Sequence, residues 1–357
     1  MKKKAWHLLS NPWNSAITEY ALSASLALSL ENYENVLTPL EGSPAELRGK
    51  ALGIKVFPVK SFSPFFWFKL RAFYQSFRPE VVFLYGGKET SFSRFFKDSK
   101  VIRFRGDARD LEAKPLSLYY KLTQSHISAV VTPCDVITHR LKSSKIPCRT
   151  IPLGVNTKKF HFQKTTKESD RLNLHLIARL DPIKGHRDFF KLYSLLLRTW
   201  KKQKKPFLHI LGEEKGVPVK ELRDYAASLG LVLDVDFQII PYRIDNIENQ
   251  LAKSDLVVIP SLGSEVICRV AEEALLCGVR IFVSGVGALE ECVKEIFFGA
   301  SYRKKDEKET LLLLQDTLEG LLQEGAEVRE QRAFLAKKFF SLDTMGKALD
   351  SLVKEIT

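Results

Sequence analysis

A chain of 357 residues, 45% of them hydrophobic, is long enough for two domains with separate cores and too apolar to stay disordered. It holds no apolar run of membrane-spanning length. The formal charge of +13 is confined to residues 1–160, with 25 Lys and Arg against 12 Asp and Glu, while residues 161–357 balance at 30 against 30. A basic first half suits an anionic partner, such as a membrane surface, a phosphorylated glycolipid or a nucleic acid. Nucleic acid is set aside, because the cations are scattered and no recognition motif is present. The cysteines (Cys134, Cys148, Cys268, Cys277 and Cys292) are odd in number and form no Cys-x-x-Cys pair. That argues against a disulfide framework or a zinc site and for a reducing cytoplasm.

The first ten residues are basic and then only briefly apolar before Asn11-Pro12, so Ala5–Ser10 reads as a strand rather than part of a signal peptide. The loop 11–15 leads into a helix from Ala16 to about Leu30, with Ala16, Tyr20, Ala24 and Leu28 along one side. Gly53–Val59 is strand-like. The stretch Ser61–Arg78 interleaves aromatic residues with Lys69, Arg71 and Arg78. It reads either as a core-packing helix with solvated cations or as an interfacial surface drawn to anionic lipid. Glu80–Tyr85 is a strand ending at Gly86-Gly87, where glycine permits close backbone approach to a ligand. Val101–Asp107 forms a strand and turn that carry Arg105 and Asp107 at the end, and Ala129–Pro133 is the next short strand. Alternating strands and helices predict a doubly wound, Rossmann-like half.

The polar stretch His161–Asp170 reads as an interdomain connection, and Arg171–Ala178 opens the second half. Arg179 and Lys184 follow at that strand's carboxyl end, astride a turn before an amphipathic helix. Two cations there can stabilise the charge that builds on a departing diphosphate; solvated turn cations are the alternative. Phe207–Leu211 and Phe237–Arg243 are further strands.

Leu256–Ile259 has the β-branched character of a buried parallel strand, and Pro260 stops it. Ser261–Ser264 is turn-prone, Ser264 stands as an N-cap, and a helical stripe of Val266, Val270, Ala274 and Cys277 runs to Gly278. Glu265 then falls in the first helical turn, with Glu273 eight residues on. On a helix the two lie roughly 12 Å apart along the axis, with free N–H groups near the first to receive a phosphate. A sugar nucleotide has that layout, hydroxyls at each end and a diphosphate between. Ordinary helix decoration, with one Glu favouring the dipole and another in solvent, has the same spacing. The seven histidines show no metal spacing and no Asp-x-Asp pair sits among glycines, so no metal cofactor is expected.

Five stretches carry a resemblance. Glu265 to Val279 resembles the Glu-x7-Glu signature of the retaining GT-B glycosyltransferases known as glycosyl transferases group 1. Ile151-Pro152-Leu153-Gly154-Val155-Asn156, Ala178 to His186 and Ile210-Leu211-Gly212-Glu213 are similar to three further segments of that family, and Gly285 to Glu291 is similar to its glycine-containing loop. The resemblance is strong over 150–300 and holds only in outline before that.

It implies an α/β GT-B fold, two Rossmann-like doubly wound domains facing across a cleft: residues 1–160 for the acceptor and 165–340 for the donor, with a C-terminal helix of about 340–357 packing back on the first. It implies a retaining glycosyltransferase moving a sugar from a nucleotide-diphosphate sugar, its only co-substrate, to a glycan or glycolipid. The setting implied is cell-surface polysaccharide or lipopolysaccharide synthesis, in the cytoplasm and peripherally on the inner face of the membrane. Glu273 would hold ribose hydroxyls, Glu265 the donor-sugar hydroxyls, and Arg179 and Lys184 the diphosphate. Tyr242 and Arg243 would flank the base. Other GT-B chemistry, such as sugar-nucleotide epimerisation, and non-catalytic nucleotide-sugar binding are the alternatives.

The chain departs from the family in several places. Asn14 and Ser15 stand where paired glycines usually contact diphosphate or acceptor. Val266, Ile267 and Cys268 replace glycines after the first Glu, leaving the backbone of Ile267 and Cys268 to approach the donor. No His follows the 101–107 strand, so Arg105 or Asp107 is expected to stand in for it.

Overall fold

The computed structural model describes residues 2–106, 126–141, 146–164, 169–263, 265–303 and 306–356. Asp107 and Ser264 lie outside them. The chain divides into two units, 1–155 with 339–357, and 156–338.

The first unit is built on strands β1 (Lys3–Leu9), β2 (Tyr33–Pro39), β3 (Lys55–Val56), β4 (Val81–Leu84), β5 (Lys100–Phe104), β6 (Ala129–Thr132) and β7 (Cys148–Thr150). All neighbours pair in parallel, in the order β3-β2-β1-β4-β5-β6-β7. The order reverses beside β1, so the loops after β1 and β4 bound the crevice where open parallel sheets bind ligands. Strands buried on both faces need apolar residues throughout, and every residue of β4 is buried. Trp6 is fully buried, its indole N–H donating to Thr38 Oγ1 at 2.7 Å. Connecting helices are α1 (Ala16–Leu30), α2 (Pro44–Ala51), α3 (Trp67–Phe77), α4 (Gly87–Thr90) and α5 (Asp135–Leu141). The 53–59 stretch forms only the two-residue β3 and an isolated bridge at Val59.

A C-terminal helix, Leu342–Glu355, belongs to this unit and packs on α1. Asp350 anchors it, accepting from Lys3 Nζ at 3.0 Å and Tyr33 Oη at 2.9 Å. Gly346 meets α1 so closely that a Cβ would stand 2.5 Å from the Ala27 carbonyl oxygen.

The second unit carries β8 (Arg171–Ile177), β9 (Lys205–Leu211), β10 (Phe237–Ile240), β11 (Leu256–Ile259), β12 (Arg280–Ser284) and β13 (Gly299–Tyr302), all parallel in the order β10-β9-β8-β11-β12-β13. Here the reversal lies beside β8, between the loops after β8 and β11. Helices α6 (His186–Thr199), α7 (Val219–Ser228), α8 (Ile247–Lys253), α9 (Arg269–Leu276), α10 (Glu307–Leu322) and α11 (Ala326–Phe340) complete it. Phe189, Phe190, Tyr193 and Leu196 of α6 pack on Leu174, Leu208 and Phe237 in its core.

Two expectations are corrected. β10 ends at Ile240, so Tyr242 and Arg243 lie in a loop, not a strand. Helix α9 begins at Arg269, four residues later than its stripe suggests, so Glu265 is a loop residue and the helical spacing to Glu273 does not apply. The cause is tertiary. The Glu265 carbonyl, which would accept the first helical bond, instead accepts from Ala288 N at 2.7 Å, and β-branched Val266 and Ile267 follow it.

Candidate functional site

In the second unit the loops after β8 and β11 converge at the switch point. Asp181 opens a single 3₁₀ turn, Pro182–Lys184, its carboxylate accepting from Ile183 N at 3.1 Å. Gly185 closes the turn at φ 72°, where a Cβ would overlap the Pro260 carbonyl. Leu262 N donates to Ile183 O at 2.7 Å, tying the two loops together. Lys184 Nζ is thereby placed on the Glu265 carboxylate in an ion pair, the side chains only 21% and 9% exposed. Ser261 Oγ donates to the same oxygen, Glu265 Oε1, at 2.6 Å, and the Ser261 carbonyl accepts from Ser284 Oγ at 2.6 Å. Gly287, at φ 61°, packs on the Glu265 carbonyl so tightly that any side chain would overlap it. The carboxylate is therefore held by Lys184 and Ser261, while Ala288 N and the close packing of Gly287 fix the backbone carbonyl of the same residue.

Glu273 is almost fully buried and ion-paired, one turn apart on α9, with Arg269, whose Nε donates at 2.6 Å. Its neighbour Glu272 is buried, with Oε2 lacking a hydrogen-bond partner, and burial pushes its carboxyl up to about 8. Cys268, just before α9, is buried, and its thiol is pushed well above the usual range by its hydrogen bond to the Cys292 thiol and by burial. Ile267 is half-buried beside it. Arg179 is 49% exposed and lies 3.9 Å from the Asp181 carboxylate, so its guanidinium is open to an anionic ligand. Gly212, at the end of β9, lets the chain pass the Ala178 carbonyl, which any side chain would overlap. His186 is buried at the start of α6, and burial lowers its imidazole to about 4, so it is neutral at physiological pH. Tyr242 and Arg243 are exposed in the loop after β10.

The first unit has its own cavity at its switch point, about 980 Å³ in volume, lined by Trp13 from the loop after β1, by Gly86 and Lys88 after β4, and by Trp67, Arg94 and Phe95. Glu89 lies beneath it, completely buried, accepting at Oε1 from Ser10 N at 2.6 Å and Gly86 N at 2.9 Å. Burial raises its carboxyl above the ordinary value. Ser15 is spent on structure here, capping α1 through Thr18 N, and Asn14 accepts from Arg48 NH1 at 2.8 Å. Arg105 is buried at the end of β5 with its backbone N–H on Val131 O at 2.8 Å. Asp107, the other expected stand-in, lies outside the described residues. Among the described residues no group of His, Cys, Asp or Glu is arranged to hold a metal ion, and no helix is long and apolar enough to cross a membrane.

Two parallel-sheet Rossmann-like units in one chain are the make-up of the GT-B fold, and solved glycosyltransferase structures share it. Residues 157–331, which make up most of the second unit, match the family model described as Glycosyl transferases group 1. No curated protein matches the sequence. Among solved structures, Anabaena HepE in complex with UDP superposes with a TM-score of 0.78 at 16% identity, covering 99% of this chain and 100% of that one. A Rickettsia africae glycosyltransferase gives 0.77 at 15% identity over 99% and 98%. The lipopolysaccharide outer core galactosyltransferase WaaB gives 0.72 at 12% identity over 99% and 100%.

The sequence motifs single out Lys184, Glu265 and Glu273 as candidates, but not Ser261 or the packing of Gly287 that holds Glu265. The only available signal was their presence in small, turn-prone segments after β11 and β12.

Proposed function

We propose that the protein is a retaining glycosyltransferase that moves a sugar from a nucleotide-diphosphate sugar to a hydroxyl of a glycan or glycolipid. The observation that carries this reading is the Lys184–Glu265 pair, buttressed by Ser261, at the carboxyl end of β11 in a glycosyl transferases group 1 domain. An ammonium has three donors, so Lys184 can hold Glu265 and a phosphate oxygen together. Arg179, open on the same loop, supplies a second cation, and the two offset the charge that gathers on the diphosphate as the glycosidic bond breaks. With that charge met by side chains, the reaction proceeds without a metal. Glu265 accepts from donor-sugar hydroxyls and Glu273 from the ribose. Front-side displacement on the shielded sugar retains configuration, and the leaving diphosphate takes the acceptor proton.

UDP in the HepE structure favours a uridine donor, and the WaaB likeness favours a lipopolysaccharide-type acceptor. The Trp-lined cavity of the first unit suits that acceptor, because aromatic faces stack on sugar rings and Lys88 and Arg94 meet anionic substituents. The work is done in the cytoplasm, at the inner face of the cell membrane. Thermal melts against UDP, GDP, ADP, CDP and dTDP and their sugar conjugates test the donor, since selective ligands raise apparent stability by mass action. A single nucleotide that raises the melting temperature, followed by transfer with an unchanged anomeric configuration, is expected. No shift with any nucleotide, or an inverted product, overturns the reading.

A further inference from the structure

The outer side of α3 in the first unit takes no part in the proposed chemistry. Helix α3 buries Leu70, Tyr74 and Phe77, while Trp67 turns inward onto Phe95 (ring centroids 4.2 Å apart) and Phe92 (5.4 Å). Its other side and the preceding 3₁₀ turn, Pro64–Phe66, leave Phe65 90% and Phe68 75% exposed. Two whole phenyl rings held in water on a rigid element are not needed by the fold, which already has its core stripe.

The charges around them are of one sign. Residues 60–79 contain Lys60, Lys69, Arg71 and Arg78 and no acidic residue. The 3₁₀ turn Ser93–Phe95, docked on Trp67, adds Arg94, which lies over the Phe95 ring at 5.1 Å. Trp13, 72% exposed, and Lys88 stand at the rim of the same cavity as Trp67. Lys60, Arg71, Lys88 and Arg94 form no ion pair among the described residues. A second copy of this face would bring like charges together, whereas an anionic bilayer offers an apolar layer beneath a negative one. Long basic side chains reach back to the headgroups while neighbouring rings enter below.

We infer that the edge formed by Pro64–Phe66 and the outer side of α3 docks on an anionic lipid leaflet, with Phe65 and Phe68 entering the headgroup–acyl boundary and the surrounding cations meeting lipid phosphates. Because Trp67 of the same helix lines the acceptor cavity, docking brings the cavity mouth to headgroup level. The inference deepens the glycolipid reading of the acceptor given above. It is tested without donor or acceptor, so that it stands or fails separately.

The test is co-sedimentation of the full chain with vesicles of phosphatidylcholine alone or mixed with phosphatidylglycerol. Wild-type protein is expected to bind the anionic vesicles, to bind neutral ones weakly, and to release in high salt. The double variant Phe65→Ser/Phe68→Ser is expected to lose binding by about tenfold or more, with an unchanged melting temperature because both rings are exposed. Lys69→Glu/Arg71→Glu is expected to lose the preference for anionic lipid. Negligible binding to both vesicles overturns the inference, as does wild-type binding by the Phe65→Ser/Phe68→Ser variant, which would leave only surface attraction. Capture of an acidic protein on this face, without vesicle binding, also overturns it.

Discussion

Lys184 and Glu265 are 81 residues apart in the chain, yet their side chains form an ion pair largely withdrawn from water at the switch point of the second sheet. Neither loop alone would hold its residue there. The Leu262–Ile183 backbone bond and the contact of Gly185 with Pro260 bring the loops together, and Ser261 and Ala288 set the orientation of Glu265.

Replacing Lys184 by Met removes the ammonium while keeping most of the apolar stem. Turnover is expected to fall by about 10²–10³, as when a preorganised electrostatic group is removed from a transition state. Steady-state kinetics with the identified donor check this. A wild-type rate would discard Lys184 as the diphosphate ligand.

Ser261→Ala deletes one bond to Glu265 and leaves the backbone alone. A hydrogen bond to a charged group is worth about 1.5–3 kcal/mol, so the transfer rate should drop by about one to two orders of magnitude. The melting temperature should move by only a few degrees. Ser261→Thr, which keeps the hydroxyl, should recover part of the rate; equal loss in both variants would assign Ser261 to packing.

Glu272 makes stability depend on pH. Its carboxyl titrates near the ordinary 4.5 when unfolded and near 8 when folded, because burial and the neighbouring Glu273 disfavour its charge. Between those values the folded state holds the extra proton, so stability contributed at this site falls as pH rises and levels off above about 8. Glu272→Gln cannot ionise. Its advantage over wild type should be near its minimum below pH 4.5 and grow to a few kcal/mol by pH 8, read as urea midpoints across that range. A constant difference would show that Glu272 is ionised in the fold.

Arg332 is wholly buried, bidentate with Glu324 at 2.7 and 2.6 Å and donating to the Gly278 carbonyl at 2.8 Å. It ties α11 to the end of α9, and removing it takes the bidentate partner from the buried Glu324 carboxylate, leaving the Arg280 guanidinium 3.9 Å away. Arg332→Met should cost about 3–5 kcal/mol in denaturant unfolding, and Arg332→Met/Glu324→Leu should recover much of that. A loss under 1 kcal/mol would mean that water reaches Glu324 readily.

With Arg179 and Lys184 offsetting the diphosphate charge, as proposed, excess chelator should leave the transfer rate unchanged. Loss of activity restored by a divalent ion would transfer that role to a metal.

Local chemistry alone determined a good deal. The Leu256–Ile259 run, the Ala16–Leu30 helix and the Arg171 strand were readable because apolar periodicity reports burial directly, and buried elements dominate a doubly wound fold. Lys184, Glu265 and Glu273 were legible as chemistry-bearing residues in ordered motifs. The aromatic stretch 61–78 meets its core-packing reading on one side of α3, while the other side is exposed and its lipid-facing reading is left to the vesicle experiment. Tertiary structure alone decided that Glu265 leaves the helix, because an N–H from Ala288 takes the carbonyl that a helix would have used. It alone joined Ser261 to Glu265, buried Glu272 against Glu273, and closed Arg332 on Glu324. Those are hydrogen bonds and desolvation between elements distant in sequence, and their energies depend on distances that no local periodicity encodes.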